Sequence, residues 1–317
     1  MITACSTPNI ALIKYWGNRN NELRLPAADS LSMTLSEPCV EITVTESDRF
    51  SVSSNNKEMK DKDIERFQKT VDLIKQYHPK VQNTISIEID SQIPPGIGLA
   101  SSAAVFSALA KAIAALADCG LNDEQISQMA RLGSGSAARS IVGGFVALEN
   151  TEDSAIARQI APQDHWELFD IVIAPNTDHK KVGSTEGHAS AWTSPHYKKR
   201  ITDITERRQQ ECIDAIANKD FEKLMAVTEE DCLDMHHCMQ TQDPPLHYLS
   251  DETYRIVDEL KTLRKTQHLP LLYTMDAGPT VHVICEAEAL ETVRAYANVQ
   301  KGCKVFEASV GKGAHLV

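Results

Sequence analysis

The chain has 317 residues, long for one compact domain and short for three, so two domains are expected. It is 42% hydrophobic and 24% charged, which excludes disorder as a description of the whole. Asp and Glu outnumber Lys and Arg by 44 to 32, and a net charge of −12 argues against nucleic-acid or anionic-membrane partners, which need basic stripes.

Met1 to Ser6 shows no basic run followed by an apolar stretch, so no secretory leader is expected. No run of about 18 apolar residues is present to cross a bilayer. Eight cysteines are scattered without a CxxC pair, which suits free thiols in a reducing, cytoplasmic setting. In Asn9 to Gly17, an apolar strand, Lys14 either snorkels to the surface or points into a site that needs a fixed positive charge. Val40, Ile42 and Val44 recur at period two, as do Ile85, Ile87 and Ile89, and both sets predict half-buried strands. Between them a polar run precedes a predicted helix over 64–77.

After Pro94-Pro95-Gly96 the spacing of Val105, Phe106, Leu109, Ile113 and Leu116 predicts a long helix. Asn122 caps another helix, which Gly133-Ser134-Gly135-Ser136 interrupts. Residues 169–174 read as a buried strand, and the boundary is placed after it, giving domains 1–176 and 177–317. Beyond lie helices over 202–220, 221–239 and 250–265. Strands at 271–276 and 281–285, a helix over 286–299 and a strand near Val305 follow, a pattern that suggests a split βαβ layer. The Gly-rich end VGKGAHLV reads as a loop or tail.

Four places could carry chemistry. Residues 94–114 place small residues between a strand and a helix N-terminus; Gly96 and Gly98 free backbone amides, and Ser101 and Ser102 add hydroxyls. That is either a phosphate cradle or a turn built for tight helix packing. In Gly133 to Ser140, Arg139 either grips a carboxylate or phosphate or decorates a helix connection. Asp276 ends an apolar strand before a tight turn, so it is either functional or an Asx-turn cap. Cys232 and His236 share a helix face at zinc spacing, but no second pair accompanies them.

NIALIKYWG, GLASSAA, GSGSAARS and YTMDAGP, in this order, resemble the diphosphomevalonate decarboxylases of the GHMP kinase superfamily. The likeness covers nearly the whole chain, including LPAADSLSMTLS, VGSTEGH and the helix EEDCLDMHH. It implies a two-domain α/β (α+β) fold, with an N-terminal domain like ribosomal protein S5 domain 2 and a ferredoxin-like C-terminal domain. Mg²⁺-ATP and a phosphorylated mevalonate would share the cleft between them, in a protein that is usually a homodimer.

The resemblance assigns roles to this chain's residues. Asp276 would be the general base, Lys14 would ease the developing charge, and Arg139 would hold the C1 carboxylate. Pro95, Gly96, Gly98, Leu99, Ala100, Ser101 and Ser102 would cradle ATP, with Ser102 nearest the transferred group or its Mg²⁺; no protein-held metal is expected. Tyr15, Asn18, Ser134, Gly135, Ser136 and Ala277 would line the substrate. This chain departs from the family pattern at Asn18, where a lysine is usual, at Ala28, where an asparagine is usual, and at Trp192, in a stretch where some members carry an arginine. Arg19 and the Lys198-Lys199-Arg200 cluster are the candidates to compensate. Asn18 also keeps open a phosphomevalonate decarboxylase or a mevalonate kinase; a nucleotide-sensing relative without turnover is a further alternative.

Overall fold

The structure, a computed structural model, describes residues 1–55, 58–81, 84–93, 99, 101–118, 120–175 and 183–317. Its alternating segments pair as their patterns require. Val40–Glu46 runs antiparallel to Ile85–Ser91, with Ile42 opposite Ile89 and Val44 opposite Ile87, so one face of the ladder is apolar. Ile2–Ser6 flanks this pair, Ser51–Ser54 adds a parallel edge, and His315–Leu316 closes the other edge. A second sheet runs in the order Ala155–Ala161, Phe145–Asn150, Ser30–Thr34, Asn9–Ile13.

The Ser101–Leu116 helix lies on Ile2–Ser6 and Val40–Glu46. Ala104, Ala108 and Ala112 on its inner face are fully buried, and their size lets the helix approach the sheet closely. Asp123–Gly133 begins with a capping box in which Asn122 and Gln125 satisfy each other's backbone amides. It ends at Ser134, and the chain continues as a 3₁₀ turn, Gly135–Ser140, which carries Arg139.

The third sheet is antiparallel throughout, in the order Leu271–Thr274, Val281–Cys285, Phe169–Pro175, Cys303–Ser309. Phe169–Pro175 lies on the first-domain side of the boundary expected at 176, yet its partners belong to this sheet. Alternate residues serve two cores: Ile171, Ile173, Tyr273 and Val283 pack with Ile256, Leu260 and Val293, while Val172, Leu272 and Ile284 join the large cluster of the first half. The two halves are therefore continuous in their apolar interior.

Helices Gln209–Asn218 and Phe221–Thr241 pack together, and the latter lies against both Asn9–Ile13 and Leu271–Thr274. The Asp220 carboxylate caps it by accepting from Lys223 N–H at 3.0 Å. The glycine-rich end is not a tail. Gly311 and Gly313 pass so close to the backbones of Leu35 and Ile141 that a Cβ would stand 2.1 Å from a carbonyl oxygen, and Ala314 N–H donates to Ser140 O. A short, polar, glycine-rich sequence has no periodicity to betray such an edge strand.

Candidate active site

Lys14 follows the strand Asn9–Ile13, and Asp276 follows Leu271–Thr274. The two strand ends meet, and Lys14 Nζ donates to Asp276 Oδ1 at 2.7 Å. The lysine does not snorkel: its side chain is 1% exposed, against 32% for that of Asp276. Burial pushes the Asp276 carboxyl up, but Lys14, His282 and Arg139 outweigh it and hold the group below the ordinary carboxylate range. The aspartate is thus ionised, with one oxygen engaged and the other without a partner among the described residues. Gly278 N–H donates to Asp276 O at 2.7 Å, so the tight turn read from Ala277-Gly278-Pro279 is present as well. Ala277 is buried in an apolar cluster with Trp16 and Met235.

Arg139 is 2% exposed, and its partners are neutral. It donates from Nε to Ser32 Oγ at 3.0 Å, from Nη1 to Ser30 Oγ at 2.6 Å and from Nη2 to Asn9 Oδ1 at 3.3 Å. Burial pulls the guanidinium down to about 10, and Asp276 and Tyr15 pull it back, so it stays charged at neutral pH. Each terminal nitrogen keeps one hydrogen free for a further acceptor such as a carboxylate oxygen. Nearby, the hydroxyls of Ser102 and Ser134 lie 3.1 Å apart and those of Ser134 and Ser136 3.2 Å apart, a chain of donors from the helix start toward the 3₁₀ turn.

At the other end, Tyr15 O–H donates to Asn18 Oδ1. Gly135 is required there, because a Cβ would lie 2.5 Å from the Tyr15 ring. The His188 ring stacks on Tyr15 and tilts against Trp16, each with centroids 4.4 Å apart. Its Nδ1 accepts from Gly17 N–H at 2.9 Å, and burial together with Arg24 pushes its pKa down to about 3, so the ring is neutral with the proton on Nε2.

Three arginines converge on this end. Arg24 Nε donates to Leu132 O at 3.0 Å, Arg66 Nη2 donates to Gly133 O at 2.9 Å, and Arg131 Nη1 donates to Leu23 O. Arg24 and Arg131 have no carboxylate partner among the described residues, and Arg66 feels Asp63 without a bond to it. Burial lowers all three, Arg66 and Arg131 to about 10. Sequence reading missed them. They come from separate segments, and their partners are backbone carbonyls that leave no sequence signal.

Of the expected compensators, Arg19 and Arg200 already have partners. Arg19 is tied to the carbonyls of Thr151, Glu152 and Ser154. Arg200 is buried and bonded to Asp231 and Asp234. Trp192 is 69% exposed. Pro95, Gly96, Gly98 and Ala100 lie outside the described residues; Leu99 is buried in the main core, and Ser101 is exposed at the start of its helix. That helix has no acidic residue in its first turn, which suits an anion at its N-terminus. Cys232 and His236 both turn toward Met275 rather than toward a shared metal position.

Two α/β halves joined through one apolar interior, with a lysine–aspartate pair bridging their strand ends and a buried arginine that acts on the same aspartate, fit the class of GHMP-type phosphoryl-transfer folds. The model of the diphosphomevalonate decarboxylase-like N-terminal domain matches residues 6–158, and that of the mevalonate 5-diphosphate decarboxylase C-terminal domain matches residues 171–310. The diphosphomevalonate decarboxylase of Candida albicans is 33% identical over 292 residues, covering 86% of this chain and 80% of that protein. The solved mevalonate diphosphate decarboxylase of Staphylococcus aureus is 30% identical, covers 100% of this chain and 97% of that one, and superposes with a TM-score of 0.91. A structure of MDDEF in complex with MVAPP, AMPPCP and magnesium has the same identity and TM-score and covers 100% and 98%. The chain belongs to the diphosphomevalonate decarboxylase family.

Proposed function

We propose that this enzyme carries out the ATP-dependent decarboxylation of 5-diphosphomevalonate to isopentenyl diphosphate, with Asp276, Lys14, Arg139 and Ser102 as its working residues. The observation that carries the reading is the 2.7 Å Lys14–Asp276 pair set beside an arginine with only neutral partners. The ionised Asp276 takes or orients the proton of the tertiary 3-hydroxyl through the oxygen that Lys14 leaves free. The Lys14 ammonium stabilises the negative charge that builds on that oxygen as its proton departs. Mg²⁺-ATP supplies the phosphoryl group that makes the hydroxyl a leaving group. Arg139 fixes the C1 carboxylate end-on, so that carbon dioxide leaves as the phosphate departs and a carbon–carbon double bond remains.

The Ser102–Ser134–Ser136 hydroxyls line the path between nucleotide and substrate. The diphosphate tail extends toward Tyr15 and Asn18, where Arg24, Arg66 and Arg131 supply the positive charge that a lysine at 18 would have given. MVAPP, AMPPCP and magnesium in the solved MDDEF complex support this set of ligands. The test is kcat/KM for mevalonate, its 5-phosphate and its 5-diphosphate, with ADP and carbon dioxide both followed. The diphosphate is expected to win with one carbon dioxide per ADP. A tenfold preference for the monophosphate would replace the substrate, and ADP without carbon dioxide on every substrate would make the protein a kinase. We further propose a cytoplasmic homodimer, readable by light scattering.

A further inference from the structure

The Lys14–Asp276 pair joins two strand ends that are 262 residues apart in sequence, and one helix touches both. From Phe221–Thr241, Asp231 accepts from Lys14 N–H at 2.6 Å. Arg200, held by Asp231 and Asp234, donates to Lys14 O at 3.1 Å, so the peptide groups on both sides of Lys14 are fixed by charged partners. Asp231 is fully buried and also takes Arg208 at 3.1 Å. One residue on, Cys232 Sγ accepts from Met275 N–H at 3.1 Å and lies 3.5 Å from Met275 O. One turn further, His236 lies beside the Met275 main chain and is 4% exposed, with Nε2 unpartnered among the described residues. Burial and Lys14 push its pKa down to about 4, so it is a neutral ring beside a buried cation.

We propose that the Phe221–Thr241 helix is the positioning element for the reacting pair: Asp231, with Arg200, seats Lys14, while Cys232 and His236 seat Asp276 through Met275. This rests on the reading that Lys14 and Asp276 are the reacting pair. In this role the helix residues act through Lys14 and Asp276 rather than on substrate. Their effect is to hold two strand ends from different sheets in one rigid register, because a helix has no freedom to change the spacing between Asp231 and Cys232. The cysteine and the histidine of a zinc-like spacing are thereby accounted for without a metal.

The experiment uses the intact enzyme and four variants: Cys232→Ala, Cys232→Ser, His236→Gln and, as a control on the reading itself, Asp276→Asn. Cys232→Ala and His236→Gln are expected to lower kcat by about tenfold with KM for both substrates within about twofold, as displacement of a reacting group does. Cys232→Ser, which keeps a donor and an acceptor, is expected to recover part of that loss. The groups acting on Asp276 are Lys14, His282 and Arg139, with His236 beside them, and Lys14 is the largest that lowers it. A loosened pair therefore raises the Asp276 pKa, and the acid limb of kcat should move up by roughly half a pH unit or more. Wild-type kcat and an unmoved limb in Cys232→Ala and His236→Gln, with Asp276→Asn inactive, would overturn the positioning role. Loss of kcat that merely follows loss of thermal stability, with the limb unmoved, would also overturn it. Near-wild-type turnover in Asp276→Asn would instead remove the reading on which it rests.

Discussion

Asp276 and Arg139 have opposite surroundings, and the roles proposed for them differ accordingly. One is an acid kept ionised by a lysine, so Asp276→Asn should fold, bind ATP and lose about 10²–10⁴ in kcat, the scale of a general base. Steady-state turnover beside a nucleotide-binding assay checks it. Arg139 keeps two hydrogens free on a planar fork, which an ammonium cannot reproduce. Arg139→Lys should release ADP in excess of carbon dioxide, and equal release at the wild-type rate would move the carboxylate clamp elsewhere. Arg24, bonded through Nε alone among the described residues, should matter for substrate choice. Losing a charge-assisted hydrogen bond worth about 1.5–3 kcal/mol, Arg24→Gln should raise KM for the diphosphate about tenfold or more with kcat little changed. That penalty should shrink as salt rises. An equal change in KM for the monophosphate and the diphosphate would place Arg24 away from the terminal phosphate.

Elements that announce themselves by period or by cap were legible before any coordinates. Val40–Glu46 and Ile85–Ser91 alternate, Ser101–Leu116 shows a helical stripe, and Asn122 starts the next helix as a capping box. Asn122→Ala should therefore cost about 1 kcal/mol in a urea titration, the usual value of a lost cap. What was illegible needed tertiary contact. The burial of Lys14 depends on an aspartate far along the chain, and the three-arginine cluster depends on carbonyls of Leu23, Leu132 and Gly133. Asp276 and Arg139 were named from motifs, but the lysine beside Asp276 and the neutral partners of Arg139 come from distant segments and needed the fold.

At the scale of the whole molecule, buried neutral histidines tie stability to pH. His188 titrates at about 3 and His236 at about 4 in the folded protein, against 6.5 as the ordinary value. Between those limits the unfolded chain binds more protons than the folded one, so stability is complete above about 6.5 and falls as pH drops toward the folded values. His188→Gln, which keeps an acceptor for Gly17 N–H, should flatten that fall. Urea midpoints at pH 7.5 and 5.0 measure it; an equal drop in both proteins would mean that His188 is not a source of it.

The edge strand His315–Leu316 pairs with Ile2–Ser6, placing Leu316 opposite Ala4. On a ribosome, Ile2–Ser6 thus waits for a segment far downstream of it before its sheet has that edge. The same late segment sets Ala314 against Ser140, next to Arg139. A nascent chain can bury most of its core while the turn that carries Arg139 still lacks its brace, so catalytic competence should trail compaction during synthesis. Contacts of such long sequence separation form slowly for the same reason of chain entropy.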